Sequence, residues 1–145
     1  MNRNERFQLA GRALAECRRL NRLGQVILIE GRRDKEALLC LGFEGDIEQV
    51  NRGWALEKLI IFLYEKYESN PIILMDWDRT GGRLQKRIME SLSSMDVKPS
   101  DDCRKIISKA LKPETLCVED LDSLADELLP IINHYDDLGG EPPSL

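Results

Sequence analysis

Two kinds of apolar pattern alternate along the chain. Between residues 4 and 22 the apolar side chains recur every three or four positions, which predicts an amphipathic helix that ends at Gly24. Two short runs, residues 25–30 and 72–75, consist mainly of β-branched and other apolar residues. Because these runs are too short for helices, each predicts a strand that is buried on both faces.

Weaker signals give the remaining elements. Further strands are predicted at 46–50 and 116–118, and Pro130 is expected to interrupt or kink the last helix. Asp78 or Thr80 can cap the helix that follows the second of the two apolar runs. The further helices are predicted over residues 34–41, 54–67, 81–92, 100–110 and 121–135.

The alternation of strands and helices predicts an α/β fold. We expect an open, mostly parallel sheet of about four strands with helices on both faces. A chain of 145 residues is long enough for one core and short for two independent domains. We therefore predict one globular unit, with an N-terminal amphipathic helix at 1–24, a central domain at 25–122, and an acidic helix and frayed tail at 123–145.

Charge is distributed unevenly along this unit. The formal net charge of −5 and the pI of about 5.0 exclude a protein that coats nucleic acid by bulk attraction. Residues 1–112 nevertheless carry all 21 basic side chains against 17 acidic ones, whereas residues 113–145 carry nine acidic side chains and no basic one. We interpret the acidic segment as a solvated helix, or alternatively as a competitor of phosphate for the basic residues.

Several classes of protein are not expected. No apolar run approaches the roughly 20 residues of a membrane span, and the N-terminus lacks the apolar segment of a signal peptide. A cytoplasmic location is therefore predicted. The four cysteines form no C-x-x-C pair, and His134 is the only histidine. This pattern disfavours a zinc site, a disulfide framework and histidine-based catalysis.

Acidic residues end both of the best predicted strands. Glu30 ends the first run, and Asp76 and Asp78 follow the second. Ligands of open α/β sheets bind beyond the carboxyl ends of the strands, so we expect these three carboxylates to converge there. Carboxylates without histidine or thiolate ligands favour a hard cation such as Mg²⁺ or Mn²⁺. Helix caps and turns are the alternative explanation for each acid taken singly.

Basic residues follow each group of acids. Around a metal site they would bind phosphate, which is the arrangement that phosphoryl transfer uses. A solvated helix face would explain those on the later helix equally well. The candidate phosphate-binding residues are Arg32, Arg33, Lys35, Arg79 and Arg83, with Lys86 and Arg87 one turn further on.

The strings around these acids resemble the signature of Toprim domains. E-G-R-R-D at 30–34 is similar to the E-G-x-x-D motif, and D-W-D-R-T-G at 76–81 is similar to D-x-D-x-x-G. Toprim domains occur in bacterial primases, type IA and type II topoisomerases, recombination-mediator proteins and the nuclease that matures 5S ribosomal RNA. The nearest likeness is to small stand-alone archaeal Toprim proteins described as primase-like, through M-D-W-D-R at 75–79 and V-E-D-L at 118–121.

The resemblance implies roles for the three acids. Glu30 corresponds to a glutamate that acts as metal ligand or as general acid and base. Asp76 and Asp78 correspond to the aspartates that bind one or two Mg²⁺ ions. The resemblance thus makes residues 25–122 a Toprim domain, with Glu30, Asp76 and Asp78 as its catalytic and metal-binding residues.

Other positions of the two motifs match in a supporting role. Asp34 corresponds to the second acid of the first motif and is interpreted as structural, or equally as the N-cap of its helix. Gly31 and Gly81 correspond to glycines that allow tight turns and close approach of phosphate. Gly82 departs from the topoisomerases and the RNA-maturing nuclease, which commonly have glutamate there.

Three functions are consistent with this sequence. The first is a Mg²⁺-dependent, nuclease-like enzyme that acts on phosphodiester bonds in structured RNA or DNA. The second is primase-like nucleotidyl transfer, for which the chain has little room for template-handling domains. The third is a noncatalytic adaptor that binds nucleic acid or the ribosome through the arginine-rich first helix.

Overall fold

The computed structural model describes residues 1–137. The tail predicted to be frayed therefore lies mostly outside the described residues. The helices are α1 (Arg3–Arg22), α2 (Arg32–Cys40), α3 (Leu56–Lys66), α4 (Arg79–Ser93), α5 (Asp102–Leu111) and α6 (Ala125–Asp136), and a 3₁₀ helix spans Val118–Asp122. The strands are β1 (Ile27–Ile29), β2 (Ile47–Gln49) and β3 (Ile72–Ile73).

The strands form an open parallel sheet in the order β2-β1-β3. Ile27 of β1 is in register with Ile47 on one side and with Ile72 on the other. The predicted α/β class and the parallel sheet are thus confirmed. Because the strands are parallel, the residues that follow them meet at one edge of the sheet.

Helices cover both faces of this sheet. Ile27 and Ile29 belong to a core shared with α1, α2, α5 and α6, whereas Leu28 between them belongs to a second core shared with α3 and α4. Alternate residues of a strand point to opposite faces. The continuous apolar run of β1 therefore serves two cores at once, and its residues are fully buried.

The fourth strand predicted at 116–118 is wrong, and the described residues contain three strands rather than about four. The carbonyl of Leu116 accepts one hydrogen bond from the main-chain N–H of Trp77 (2.9 Å), but residues 116–118 form no further strand pairing with the described sheet. Val118 instead begins the 3₁₀ helix. Val118 and Leu121 are both buried, and their spacing of three residues is the period of a 3₁₀ helix.

The acidic C-terminal segment packs against the basic N-terminal helix. Asp136 of α6 forms ion pairs with Arg18 (2.9 Å) and Arg22 (2.8 Å) of α1, and Arg6 pairs with Glu114 (2.6 Å). The segment is therefore not simply a solvated helix. Within residues 1–137, no helix is long and apolar enough to cross a membrane.

Candidate functional site

Three carboxylates meet at the carboxyl edge of the sheet. Glu30 directly follows β1, Asp76 lies three residues beyond β3, and Asp34 lies in the first turn of α2. Each offers a carboxylate oxygen, and these three oxygens lie within 4.8 Å of one another. The convergence predicted from the strand ends therefore includes Glu30 and Asp76, with Asp34 as the third member.

Asp34 has a different place from the one predicted. It is the third residue of α2, and Gly31 is the N-cap, so the prediction of Asp34 as N-cap is wrong. Its Oδ2 accepts a hydrogen bond from the Gly31 N–H (3.1 Å). The side chain is buried, and this burial, followed by the charge of Asp76, raises its pKa.

Asp76 is held from two sides. Its Oδ1 accepts a hydrogen bond from the Val118 N–H (2.8 Å), and its own N–H donates to Glu30 Oε2 (3.4 Å). Burial raises the pKa of Asp76 to about 7, and the adjacent Glu30 and Asp78 add to the effect. Clustered carboxylates of this kind are stabilised by a cation, so the donor set fits a hard ion such as Mg²⁺.

Asp78 serves as the N-cap of α4. Its Oδ1 accepts a hydrogen bond from the Gly81 N–H (2.7 Å), which confirms it as one of the two predicted caps. The side chain is exposed and lies outside the group formed by Glu30, Asp34 and Asp76. A role for Asp78 as metal ligand stays a prediction.

Gly81 allows α4 to start directly against Asp76. A Cβ atom at this position would lie 2.1 Å from the Asp76 carbonyl oxygen. Since the atom that this Cβ would meet belongs to the main chain, it cannot swing aside, and any side chain at residue 81 would push α4 away from the site. The requirement here is close approach of two main chains, and phosphate need not be involved.

The predicted phosphate-binding residues lie on α2 and α4, the two helices that begin near the three carboxylates. Arg32 is 81% exposed and lies 3.4 Å from Glu36. Lys35 is half-buried. Phosphate binding by any of these basic residues stays a prediction. The remaining three are exposed, with Arg33 and Arg79 in the first turns of α2 and α4 and Arg83 in the second turn of α4.

Arg104 of α5 is a basic residue of the site that the sequence did not indicate. Its Nε donates to the Met75 carbonyl (3.0 Å) and its Nη2 donates to the Asp76 carbonyl (2.8 Å). Burial lowers its pKa, while nearby negative charges, including Glu30 and Asp76, act in the opposite direction. No motif marks this residue, because α5 reaches the sheet edge only through tertiary packing.

Gln85 of α4 was also missed, and it completes the hydrogen bonds of the chain around β3. Its Oε1 accepts from the Met75 N–H (3.1 Å), and its Nε2 donates to the Ile73 carbonyl (3.0 Å). The side chain is buried. Gln85 thereby fixes the backbone that leads to Asp76.

A second group of potential ligands lies in and beside the 3₁₀ helix. Side-chain atoms of Cys117, Glu119 and Asp120 lie within 4.8 Å of one another. Burial raises the pKa of the Cys117 thiol to about 11, and the hydrogen bond and charge of Asp120 add to the effect. Glu119 also adds to the raised pKa of Asp34, which links the two groups.

Comparison with known proteins identifies relatives over most of the chain. A UPF0292 protein of Thermococcus sibiricus is 32% identical over 103 residues, which cover 71% of this chain and 79% of the relative. The chain belongs to the UPF0292 family. A UPF0292 protein of Methanosarcina acetivorans is 29% identical over 126 residues, which cover 86% of this chain and 85% of that relative. A UPF0292 protein of Pyrococcus furiosus is 32% identical over 113 residues, which cover 76% of this chain and 81% of that relative.

A solved structure shares the fold of this UPF0292 protein. A putative protein from Aquifex aeolicus matches with a TM-score of 0.61 and 27% sequence identity, over 74% of this chain and 94% of the other. No family model matches the chain.

Proposed function

We propose that this UPF0292 protein is a Mg²⁺-dependent, nuclease-like enzyme with a Toprim-type site, acting on phosphodiester bonds in structured RNA or DNA. The observation that carries the proposal is the group of three carboxylates, Glu30, Asp34 and Asp76, at the carboxyl edge of a parallel sheet. This edge is where open α/β proteins bind ligands. The resemblance of the two sequence motifs to Toprim domains supports the same chemistry.

The three carboxylates have two roles in this proposal, binding the metal ion and transferring a proton. Glu30, Asp34 and Asp76 would hold the ion, with Asp78 beside them as a further candidate. When bound, Mg²⁺ stabilises negative charge on the phosphoryl group. Glu30 is partly exposed, so its carboxyl group can either accept the proton of the attacking oxygen or give a proton to the leaving oxygen.

The alternative of a noncatalytic adaptor depends on free arginines on α1, and several of them are already paired. Arginines of α1 that were expected to dock on nucleic acid contact acidic side chains of the same chain instead. Arg18 and Arg22 bind Asp136, Arg6 binds Glu114, and Arg19 binds Glu16 within its own helix. These contacts reduce the charge that α1 offers to phosphate, which favours the acidic site as the functional centre.

Replacement of Asp76 tests the proposed enzyme. Asp76→Asn keeps the shape of the side chain and removes its charge, so we expect Mg²⁺-dependent cleavage of total RNA or DNA to fall by at least about 100-fold. Asp126→Asn, an exposed aspartate in the first turn of α6, is the matched control. Undiminished cleavage by folded Asp76→Asn, or cleavage that persists in EDTA, would contradict the proposal.

A further inference from the structure

The guanidinium of Arg104 is fixed in place beside the three carboxylates. Two consecutive carbonyls, those of Met75 and Asp76, accept hydrogen bonds from its Nε and Nη2. Since both carbonyls belong to the backbone that leads into the site, the plane of the guanidinium is set by the same chain segment that sets Asp76. An arginine held in this way loses little conformational entropy when it binds a ligand.

The charge of Arg104 is not used in an ion pair within residues 1–137. A guanidinium has five N–H donors, and the two hydrogen bonds to carbonyls leave three of them for another acceptor. The side chain is only partly exposed. The negative charges of Asp101, Glu30 and Asp76 offset part of the cost of burying this cation, and three N–H donors remain available to a ligand.

Gly82 leaves space next to these donors. A Cβ atom added at residue 82 would lie 3.7 Å from Arg104 Nη2, so a longer side chain there would cover the guanidinium. Gly82 lies in the first turn of α4, directly after Gly81. The absence of a side chain at 82 therefore leaves Arg104 open on the side of α4.

We propose that Arg104 binds a non-bridging phosphate oxygen of the nucleic-acid substrate and that Gly82 keeps it accessible. The inference rests on the proposed function, since it names the group that binds phosphate at that same site. The basic residues indicated by the sequence are mostly exposed, whereas two backbone carbonyls orient Arg104 before the substrate arrives. Charge-assisted hydrogen bonds from an oriented guanidinium are among the strongest contacts to phosphate.

The test compares variants of Arg104 and of Gly82 in binding a fluorescein-labelled oligonucleotide, RNA or DNA, with Ca²⁺ replacing Mg²⁺ to limit cleavage. We expect Arg104→Met to weaken binding by at least about tenfold and Arg104→Lys, which keeps the charge without the fork, by less. Gly82→Glu should weaken binding like Arg104→Met because its carboxylate would pair with Arg104. Gly82→Gln is the matched control for size and should bind more tightly than Gly82→Glu.

Thermal unfolding of each variant shows whether the variant is folded before its affinity is compared. Gly82→Glu retains Arg104, so it tests the charge even if Arg104→Met does not fold. Wild-type affinity in folded Arg104→Met, or wild-type affinity in folded Gly82→Glu, would overturn the inference while cleavage by the wild type still supported the enzyme. Binding that depends on Arg104 without any Mg²⁺-dependent cleavage would instead sustain the inference and refute the proposed nuclease activity.

Discussion

Gly81 is the residue on which the approach of α4 to the site depends. Replacement by alanine would place its Cβ 2.1 Å from the Asp76 carbonyl oxygen, and neither backbone can move without disturbing the carboxylates. We expect Gly81→Ala to lower the free energy of unfolding by about 2 kcal/mol or more. Urea denaturation followed by circular dichroism measures this loss.

The neighbouring glycine provides the control for this prediction. A Cβ at Gly82 makes an ordinary contact at 3.7 Å, and alanine favours helix over glycine. Gly82→Ala should therefore leave stability unchanged or raise it by about 0.5 kcal/mol. Equal stability of the two alanine variants would show that the close contact at Gly81 carries no penalty.

The predicted sheet accounts for the acids that follow strands, whereas Asp34 was indicated only by its match to the Toprim motif. Glu30 and Asp76 were expected to converge because parallel strands bring their carboxyl ends to one edge. Asp34 and Arg104 come from helices, and their positions depend on how α2 and α5 pack on the sheet. Hydrophobic periodicity indicates which face of a helix is buried, and it does not indicate which residue of that helix reaches a distant strand end.

At the scale of elements, the short strand β3 depends on a side chain of α4. The buried side chain of Gln85 hydrogen-bonds the Met75 N–H and the Ile73 carbonyl. Gln85→Leu would leave both backbone groups without a partner. Unsatisfied buried backbone groups are unfavourable, so we expect a loss of about 3 kcal/mol in the free energy of unfolding. Urea denaturation of the variant measures it.

Lys86→Leu is the control for this change, because it introduces the same residue at the next, exposed position of α4. Its unfolding free energy should stay within about 0.5 kcal/mol of the wild type. If Gln85→Leu were as stable as Lys86→Leu, the side chain would not be needed to complete the backbone hydrogen bonds around β3.

Element types were predictable where the apolar period was long or unambiguous. The helix α1, the strand β1 and the cap of α4 at Asp78 all follow from residues that are close in sequence. The segment 116–118 was predicted as a strand because a short apolar run fits a strand and a buried turn equally well. Burial of Val118 and Leu121 in one core decides for the 3₁₀ helix.

At the scale of the whole molecule, the uneven charge is part of the packing of α6 on α1. Asp136 of α6 is largely buried between Arg18 and Arg22, and hydrogen bonds from Arg22 and then Arg18 lower the pKa of Asp136. The folded state therefore binds a proton at Asp136 less readily than the unfolded state does. The resulting stability is present above the unfolded pKa of about 4 and is lost as the pH falls through the lower folded pKa.

Asp136→Asn should reveal this contribution through its dependence on pH. At neutral pH we expect the variant to be about 2 kcal/mol less stable than the wild type, because two arginines lose a charged partner. The difference should shrink as the pH falls below about 4, where Asp136 of the wild type also becomes protonated. Asp137→Asn changes an exposed aspartate one residue later, and at neutral pH its stability should stay within about 0.5 kcal/mol of the wild type. A stability difference for Asp136→Asn that did not vary with pH would mean that shape, rather than charge, holds α6 against α1.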